Sequence, residues 1–254
     1  MSAVVSEQLI DELIDAWERQ QSAYVRNRSQ RFDVILDTTA YARPDLTTVL
    51  DIGAGLGSFS KLILQRFPEV NVIALDYDPA LLELARHNLR DYSDRLSVIE
   101  ADLRDPSWPD ALGIAKPDIV VSSTALHWLP TPDLIRLYQT LATVLDTRGL
   151  FFNADHLSHP VGAVLHAVST RDDHEHQQAA FGQGVADWDG WWNTLRGLAG
   201  FAELVAERDR RFGDAPENLD TTAALHTEAL RVAGFTETGT LWQYLDDYVV
   251  YGVK

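Results

Sequence analysis

VLDIGAGLGSFS, residues 49–60, is the segment from which the fold class of this chain can be inferred. An apolar run ends in Asp51, and three glycines follow at alternate positions, Gly53, Gly55 and Gly57. Glycines let a backbone turn tightly and approach a ligand closely. The segment therefore predicts a buried strand, a ligand-binding loop and the start of a helix.

The spacing of the glycines separates two kinds of ligand. A dinucleotide loop has the pattern G-x-G-x-x-G, whereas this loop has G-x-G-x-G and is preceded by the carboxylate of Asp51. That carboxylate would repel phosphates above the helix N-terminus. S-adenosylmethionine carries an ammonium and a sulfonium and no phosphate, so the acid favours this cofactor. Asp76 ends the next apolar run and can accept hydrogen bonds from ribose hydroxyls in either kind of site.

Short apolar runs alternate with helical patterns after this segment, which predicts an α/β fold with a doubly wound parallel sheet. Asp78 fits the N-cap of a helix that starts at Pro79. Thr131 is expected to cap a helix that begins at Pro132 and ends at Gly149. In SFSKLILQRF, the spacing predicts one buried helix face, formed by Phe59, Leu62, Ile63 and Phe67.

The same patterns divide the chain into four segments. Residues 1–44 are expected to form an N-terminal helical cap, and residues 45–155 the cofactor-binding core. Residues 156–215 lack strand-like runs and are expected to form a helical lid over the sheet. Residues 216–254 return to the core pattern, with one helix and two strands.

Composition excludes several classes of protein. The 254 residues are 46% hydrophobic and 23% charged, which is typical of a soluble globular protein. No apolar run approaches the ~20 residues of a membrane span, so no membrane partner is expected. The absence of cysteine excludes disulfides and thiolate sites, and a cytoplasmic location is the default expectation. A net charge of −17 argues against a nucleic acid partner, and the oligomeric state is not visible in the sequence.

Four ordered motifs resemble those of the class I S-adenosylmethionine-dependent methyltransferases: VLDIGAGLGSFS, VIALDYDP, IEADLRD and IVVSSTALHWL. The closing AGFTETGTLWQYLDDYVVYGVK is similar to the last helix and the antiparallel final strand pair of that family. The resemblance covers about residues 45–155 and 216–254. It implies a Rossmann-like, mostly parallel sheet of seven strands with an antiparallel last strand.

The resemblance also implies cofactor-binding roles for matched positions. Beside the methionine part would lie a loop of five residues, Asp51, Gly53, Ala54, Gly55 and Gly57. The residues following the fourth strand would line the same part, at Ser123 and Thr124. The adenosine part would contact four residues, with Asp76 at the ribose, Tyr77 packed beside the adenine, and Asp102 and Leu103 at the adenine edge.

His127 is the candidate general base. It follows the fourth strand, at the sheet edge where ligands bind, and a neutral imidazole can take a proton near pH 7. The alternative is that it only packs or caps the next helix. Asp155 and His156 follow the fifth strand and share the positional argument, although a polar exit from the strand explains them better.

Four other residues are candidates for contact with the acceptor. Tyr24 and Arg28, near the end of the first helix, could reach the methionine carboxylate or the acceptor. Trp188 and Trp192 share a helix face and could form an aromatic wall, or they could attach the lid to the sheet. His174 and His176 lie on different sides of a helix, and no required metal is expected.

The sequence therefore predicts a transferase that moves a methyl group from S-adenosylmethionine to an oxygen or nitrogen of a small-molecule acceptor. Three alternatives remain open at this point: methylation of a protein or a tRNA, a cofactor-binding module without turnover, and a nicotinamide-dependent oxidoreductase. The identity of the acceptor is not encoded in any pattern of the lid.

Overall fold

A sheet of seven strands forms the centre of the computed structural model, which describes residues 6–113, 116–213 and 221–254. The strands are β1 (Thr48–Ile52), β2 (Asn71–Asp76), β3 (Leu96–Glu100), β4 (Ile119–Ser123), β5 (Leu150–His156), β6 (Glu237–Tyr244) and β7 (Asp247–Val253). They lie in the order β3-β2-β1-β4-β5-β7-β6. The first five run parallel, and β7 is antiparallel to both β5 and β6. The predicted Rossmann-like fold with an antiparallel last strand is confirmed.

Nine helices surround the sheet in the described part of the chain. They are α1 (Glu7–Tyr24), α2 (Arg28–Ala42), α3 (Ser58–Arg66), α4 (Pro79–Asn88), α5 (Thr131–Val144), α6 (Val164–Gly182), α7 (Trp188–Arg196), α8 (Ala202–Phe212) and α9 (Ala223–Ala233). The predicted cap of α4 is confirmed, because the Asp78 carboxylate accepts from the backbone N–H groups of Ala80 and Leu81. None of these helices is both long and apolar enough to cross a bilayer.

Alternating side chains of the strands give the sheet two buried faces. Leu50 and Ile52 of β1 pack on one face with Leu137 of α5 and Leu230 of α9. Val49 packs on the opposite face in a cluster with residues of α2 and α3, among them Phe32, Phe59 and Ile63. The sheet is therefore covered on both sides, as its nearly continuous apolar strands require.

A third hydrophobic cluster joins the N-terminal helices to the lid. Trp17 of α1 contacts Trp191 of α7, with ring centroids 4.7 Å apart, and the Trp191 indole N–H donates to the backbone oxygen of Leu13. The amide of Gln20 donates to the backbone oxygen of Asp187 at the start of α7. Helices from the N-terminal segment and from the segment between β5 and β6 thus form one layer over the carboxyl ends of the strands.

Two sequence predictions about helices are corrected. Helix α5 begins at Thr131 itself and ends at Val144, not at Gly149. Gly149 lies in the turn before β5, where its N–H donates to the backbone oxygen of Asp146. A Cβ added to Gly149 would lie 2.8 Å from that oxygen. Leu62 is 36% exposed, whereas its neighbour Leu64 is buried with Phe59 and Ile63. The expected boundary between residues 215 and 216 lies outside the described residues.

Candidate active site

A cavity of about 620 Å³ opens at the carboxyl ends of the parallel strands, under the layer of α1, α7 and α8. Its volume lies in the range of small-molecule sites, roughly 300–1,000 Å³. The predicted site residues line this cavity with two exceptions, Gly57 and Asp155. The fold therefore brings candidate residues from seven separate segments of the sequence into a single cavity.

The glycine loop contains backbone conformations with positive φ, which glycine adopts readily and other residues adopt only with strain. Gly53 has φ +68°, and an added Cβ would lie 2.3 Å from the Cβ of Ala125. Gly57 has φ +82° and packs against Leu89, where an added Cβ would lie 2.5 Å from a methyl carbon. Gly57 was expected beside the cofactor, but it lies outside the cavity wall and serves the turn into α3.

Asp76 connects the glycine loop to the turn after β2. Its Oδ2 accepts from the Gly55 N–H at 2.7 Å, and its Oδ1 accepts from the N–H groups of Tyr77 and Asp78. Burial raises the pKa of this carboxyl group, although the backbone donors favour its ionised form. Because each carboxylate oxygen has two lone pairs, Oδ2 retains one acceptor site for a hydroxyl of a bound ligand.

Asp51 lies deeper, below the same loop. The hydroxyl of Ser60 donates to its Oδ2 at 2.7 Å. Burial raises the pKa of Asp51 to about 7, and the nearby carboxylate of Asp76 adds to the rise. An acid in this state becomes fully ionised when a cation binds nearby, so the pair of carboxylates suits a positively charged ligand.

The part of the cavity around Asp102 contains an ion pair that the sequence did not reveal. The guanidinium of Arg104 binds both carboxylate oxygens of Asp102 and lies 5.4 Å from the centroid of the Tyr77 ring. Asp102 was expected to accept from the adenine amino group. Its oxygens are already shared with Arg104, and Leu103 lines the wall beside them.

Helix α8 closes the same end through Arg208. Its guanidinium carbon lies 3.9 Å from the centroid of the Trp192 ring, and its Nε is 2.9 Å from the carboxylate of Asp78. Burial raises the pKa of Asp78 to about 7 against the opposing effect of Arg208. Phe212 of the same helix meets Tyr77 with ring centroids 5.7 Å apart. The lid is therefore attached to the cofactor side of the cavity.

His127 faces the cavity from a short 3₁₀ turn after β4. Its Nδ1 lies 2.7 Å from Oδ1 of Asp155, and its side chain is 19% exposed. Burial lowers the pKa of His127, but the Asp155 charge and hydrogen bond outweigh it and raise the net pKa above its ordinary value. Asp155 is fully buried behind the histidine and does not reach the cavity.

A buried arginine lies close to this pair. Arg31 of α2 is 0% exposed and binds Asp247 with an N–O distance of 2.6 Å. Its charge contributes to holding the pKa of Asp155 below the ordinary value, although His127 contributes more and burial opposes both. The histidine, the two carboxylates and the arginine form one charged network under the cavity floor.

The other candidate acceptor contacts lie on the lid side. The hydroxyl of Tyr24 accepts from the N–H of Trp188, and the guanidinium of Arg28 pairs with Glu18. Trp188 and Trp192 line the cavity and also pack on Trp17. Both interpretations of the tryptophans, a cavity wall and an attachment of the lid, are therefore present in one cluster.

The sequence contains two pairs of closely spaced histidines, His174 with His176 and His156 with His159. Neither pair converges on a common point in the structure. His174 contacts Gln178 on the exposed face of α6, and His176 contacts the backbone oxygen of Ser22. His159 contacts the backbone oxygen of Leu245, whereas His156 lines the cavity.

The cofactor expected from the sequence fits the cavity on several observations. Asp51 and Asp76 supply carboxyl groups beside the glycine loop, and Gly53 and Gly55 line the cavity without side chains. Tyr77 offers an aromatic face next to Asp102. Arg208, Arg104 and Trp17 also line this cavity and were not predicted. Arg208 and Trp17 lie in no motif, and Arg104 lies within IEADLRD, where only Asp102 and Leu103 were assigned roles.

Comparison with known proteins identifies the central segment. Residues 49–149 match the family described as Methyltransferase domain. The chain is 32% identical over 130 residues to the tRNA1(Val) (adenine(37)-N6)-methyltransferase of Porphyromonas gingivalis. This match covers 48% of this chain and 49% of that protein. It is 35% identical over 101 residues to malonyl-[acyl-carrier protein] O-methyltransferase 1 of Ilyobacter polytropus, covering 40% and 35% of the two chains. The chain thus spans half or less of the length of these curated relatives.

Solved structures agree with this fold. The S-adenosylmethionine-dependent methyltransferase SibL, in its apo form, superposes with a TM-score of 0.57 at 19% sequence identity. The match covers 88% of this chain and 54% of SibL. At this identity the likeness concerns the fold, and it extends beyond the central segment to most of the chain.

Proposed function

The chain carries a class I S-adenosylmethionine-dependent methyltransferase domain, and we propose that the protein transfers a methyl group from this cofactor to an oxygen or nitrogen atom of a small-molecule acceptor. The observation that carries the proposal is the His127–Asp155 pair, which faces the same cavity as the glycine loop and Asp76. A proton acceptor beside the cofactor loop is what methylation of a hydroxyl requires.

Cofactor binding is assigned to the acids and glycines of the sheet edge. S-adenosylmethionine supplies a methyl group that its sulfonium has already activated. Asp76 would accept from a ribose hydroxyl through the remaining lone pair of Oδ2, and Tyr77 would pack beside the adenine. Asp51 balances the charge of the amino acid part, while Ser123 and Thr124 line the wall opposite the loop.

His127 acts as the base in this mechanism. Because Nδ1 is bonded to Asp155, its Nε2 is the nitrogen left to accept a proton from the acceptor. Asp155 holds the ring in that orientation and stabilises the imidazolium that forms. An amine acceptor needs only a free lone pair, so for such an acceptor His127 would serve to remove a proton before or after transfer.

The walls of the cavity favour a small acceptor that is neutral or cationic. Trp17, Trp188, Trp192 and Trp128 provide aromatic surface, which suits planar or cationic groups. Each arginine among the described lining residues is already paired with a carboxylate: Arg28 with Glu18, Arg104 with Asp102 and Arg208 with Asp78. Free positive charge for an anionic polymer is not available in that lining.

Methylation of tRNA is the second candidate, because one of the similar proteins is a tRNA methyltransferase. The net charge of −17 opposes it, since binding of a phosphate backbone needs basic side chains. The cytoplasmic location expected from the cysteine-free composition stays a prediction.

Transfer of a tritiated methyl group from S-adenosylmethionine tests the proposal. The acceptors would be panels of phenols, hydroxy acids and amines, with unmodified tRNA and a mixture of peptides for comparison. We expect transfer to a member of the small-molecule panels, and its loss in His127→Ala but not in the exposed control His174→Ala. Transfer confined to tRNA or peptide would contradict the proposed acceptor class. Binding without transfer to any acceptor would favour a cofactor-binding module.

A further inference from the structure

Three potential metal ligands meet at one end of the cavity. They are His156 at the end of β5, Asp173 in α6 and Asp246 in the turn between β6 and β7. Their ligand atoms all lie within 4.8 Å of one another, and all three side chains are half-buried and line the cavity. Because they come from three separate elements, the fold itself assembles the group.

The group lies next to the proposed base. Asp155 Oδ1 accepts from Nδ1 of His127 and also from the backbone N–H of His156. The His127 ring and the His156 backbone therefore meet at one carboxylate oxygen, and both histidines line the same cavity. An ion held by His156 would share that cavity with the proposed base.

The two carboxylates of the group have no other partner within residues 6–113, 116–213 and 221–254. Asp173 and Asp246 accept no side-chain hydrogen bond there and form no ion pair. The residues next to them in sequence do form ion pairs, Asp172 with Arg26 and Asp247 with Arg31. Two carboxyl groups thus lie close together in the cavity with an imidazole beside them.

The donor set suits a divalent transition-metal ion. One imidazole nitrogen and two carboxylate oxygens match the ligands of Mn²⁺, Fe²⁺ or Zn²⁺. Ligand atoms on one such ion lie roughly 3–4 Å apart, so side-chain movements of about 1 Å would complete the site. Three protein ligands leave further coordination positions open toward the cavity.

We propose that His156, Asp173 and Asp246 bind a divalent transition-metal ion, whose open positions hold an acceptor with adjacent oxygen atoms beside His127. The role toward the acceptor rests on the proposed methyl transfer, whereas the binding of the ion does not. The expectation of no required metal came from the two histidine pairs, and the proposed site takes only one histidine from them. Its other two ligands are aspartates distant in sequence, which no local spacing could reveal.

Titration of the metal-free protein with Mn²⁺, followed by electron paramagnetic resonance and calorimetry, tests the site. We expect saturable binding of about one ion per chain. Asp173→Asn and Asp246→Asn should each weaken it at least tenfold. Asp172→Asn is the matched control, because it removes an adjacent charge of the same helix outside the group, and it should leave the affinity unchanged.

Binding of S-adenosylhomocysteine by each variant serves as the control for folding. If the variants bind it normally and lose Mn²⁺, the metal site stands even if no methyl transfer is found. No saturable Mn²⁺ binding by the wild type would overturn the inference. Equal Mn²⁺ affinity in Asp173→Asn and the wild type would also overturn it, since the ion would then be adsorbed on the acidic surface.

Discussion

Nδ1 of His127 lies 2.7 Å from Oδ1 of Asp155, and the carboxylate is fully buried behind the imidazole. Such a contact fixes the tautomer of the ring and directs Nε2 into the cavity. The same oxygen also accepts from the N–H of His156, and Arg31 contributes positive charge to its surroundings. In the proposed reaction, Asp155 is thus a positioning residue, and His127 is the group that meets the acceptor.

The first prediction concerns this pair. His127→Ala should lower kcat for a hydroxyl acceptor by about 10²–10⁴, the usual contribution of a general base. The wild-type kcat should fall as pH drops through the pKa of His127, which lies above the ordinary histidine value. Asp155→Asn removes the carboxylate charge that raises the pKa of His127, whereas burial still lowers that pKa. The acidic limb of the rate profile should therefore move to lower pH. Rate profiles from pH 5 to 9 measure both effects.

An unchanged acidic limb in Asp155→Asn would contradict the assigned base. KM for the cofactor should stay within about twofold in both variants, because neither side chain lies at the glycine loop. A rise in KM alone, with kcat intact, would point to a packing role for His127.

The second prediction concerns cofactor affinity and Asp51. In the free protein this acid has a pKa of about 7, raised by burial, so it is largely neutral at pH 6. A bound ammonium favours the ionised form, so the affinity for S-adenosylhomocysteine should rise about tenfold from pH 6 to pH 8. Asp51→Asn should bind more weakly and show no such rise. Calorimetric titration at several pH values measures the dependence.

Ser60 provides a second variant for the same claim. Its hydroxyl donates to Asp51 and lowers the pKa of that acid. Ser60→Ala should therefore move the rise in affinity to higher pH. If Asp51→Asn kept the wild-type dependence on pH, another group would be responsible.

The third prediction concerns the attachment of the lid. Arg208 stacks on Trp192 and pairs with the buried carboxylate of Asp78, so its removal leaves that carboxylate without its cation. Arg208→Ala should weaken S-adenosylhomocysteine binding by about thirtyfold, in line with a desolvated cation–π contact of ~2 kcal/mol. Arg210→Ala, which removes an exposed pair with Glu207 from the same helix, should change little. Equal effects of the two variants would contradict the role of Arg208.

The fourth prediction concerns stability in acid. His226 is buried between the hydroxyls of Tyr138 and Thr221, and burial lowers its pKa to about 4. The unfolded chain takes up this proton near pH 6.5, so the folded state loses stability as pH falls from about 6.5 toward 4. From pH 7.5 to pH 5 the loss from this group should be about 2 kcal/mol.

Urea denaturation of the wild type and of His226→Gln at the two pH values isolates that contribution. The variant should be less stable than the wild type at pH 7.5. Its loss of unfolding free energy from pH 7.5 to pH 5 should be about 2 kcal/mol smaller than that of the wild type. The same change with pH in both proteins would show that His226 is not the titrating group.

The sequence was informative where local chemistry determines the structure. The glycine loop at residues 53–57, the cap at Asp78 and the strand runs each depend on neighbours within a few residues, and each formed as predicted. The site depended on distant contacts. Asp155 faces away from the cavity, behind His127. This orientation follows from the pairing of β5 with β4 and β7, which no local pattern specifies.

The lid shows the same limit. Arg208 looks like one of several arginines in a charged helix, and its role appears only when α8 packs on α4 and α7. The grouping of His156, Asp173 and Asp246 likewise needs three elements in place. The end of α5 was misplaced because the chain leaves the helix at Leu145 in an extended conformation, before Gly149 is reached.

Binding of S-adenosylhomocysteine, measured by calorimetry beside NAD, tests the central claim most directly. The wild type should bind S-adenosylhomocysteine at one site per chain and should not bind NAD. Asp76→Ala should weaken that binding by at least about tenfold, since a hydrogen bond to a charged acceptor is lost, while the exposed control Asp105→Ala should bind normally. Thermal melting would verify that both variants are folded. No binding of S-adenosylhomocysteine by the wild type, or binding of NAD in its place, would contradict the assignment of the glycine loop and every role built on it.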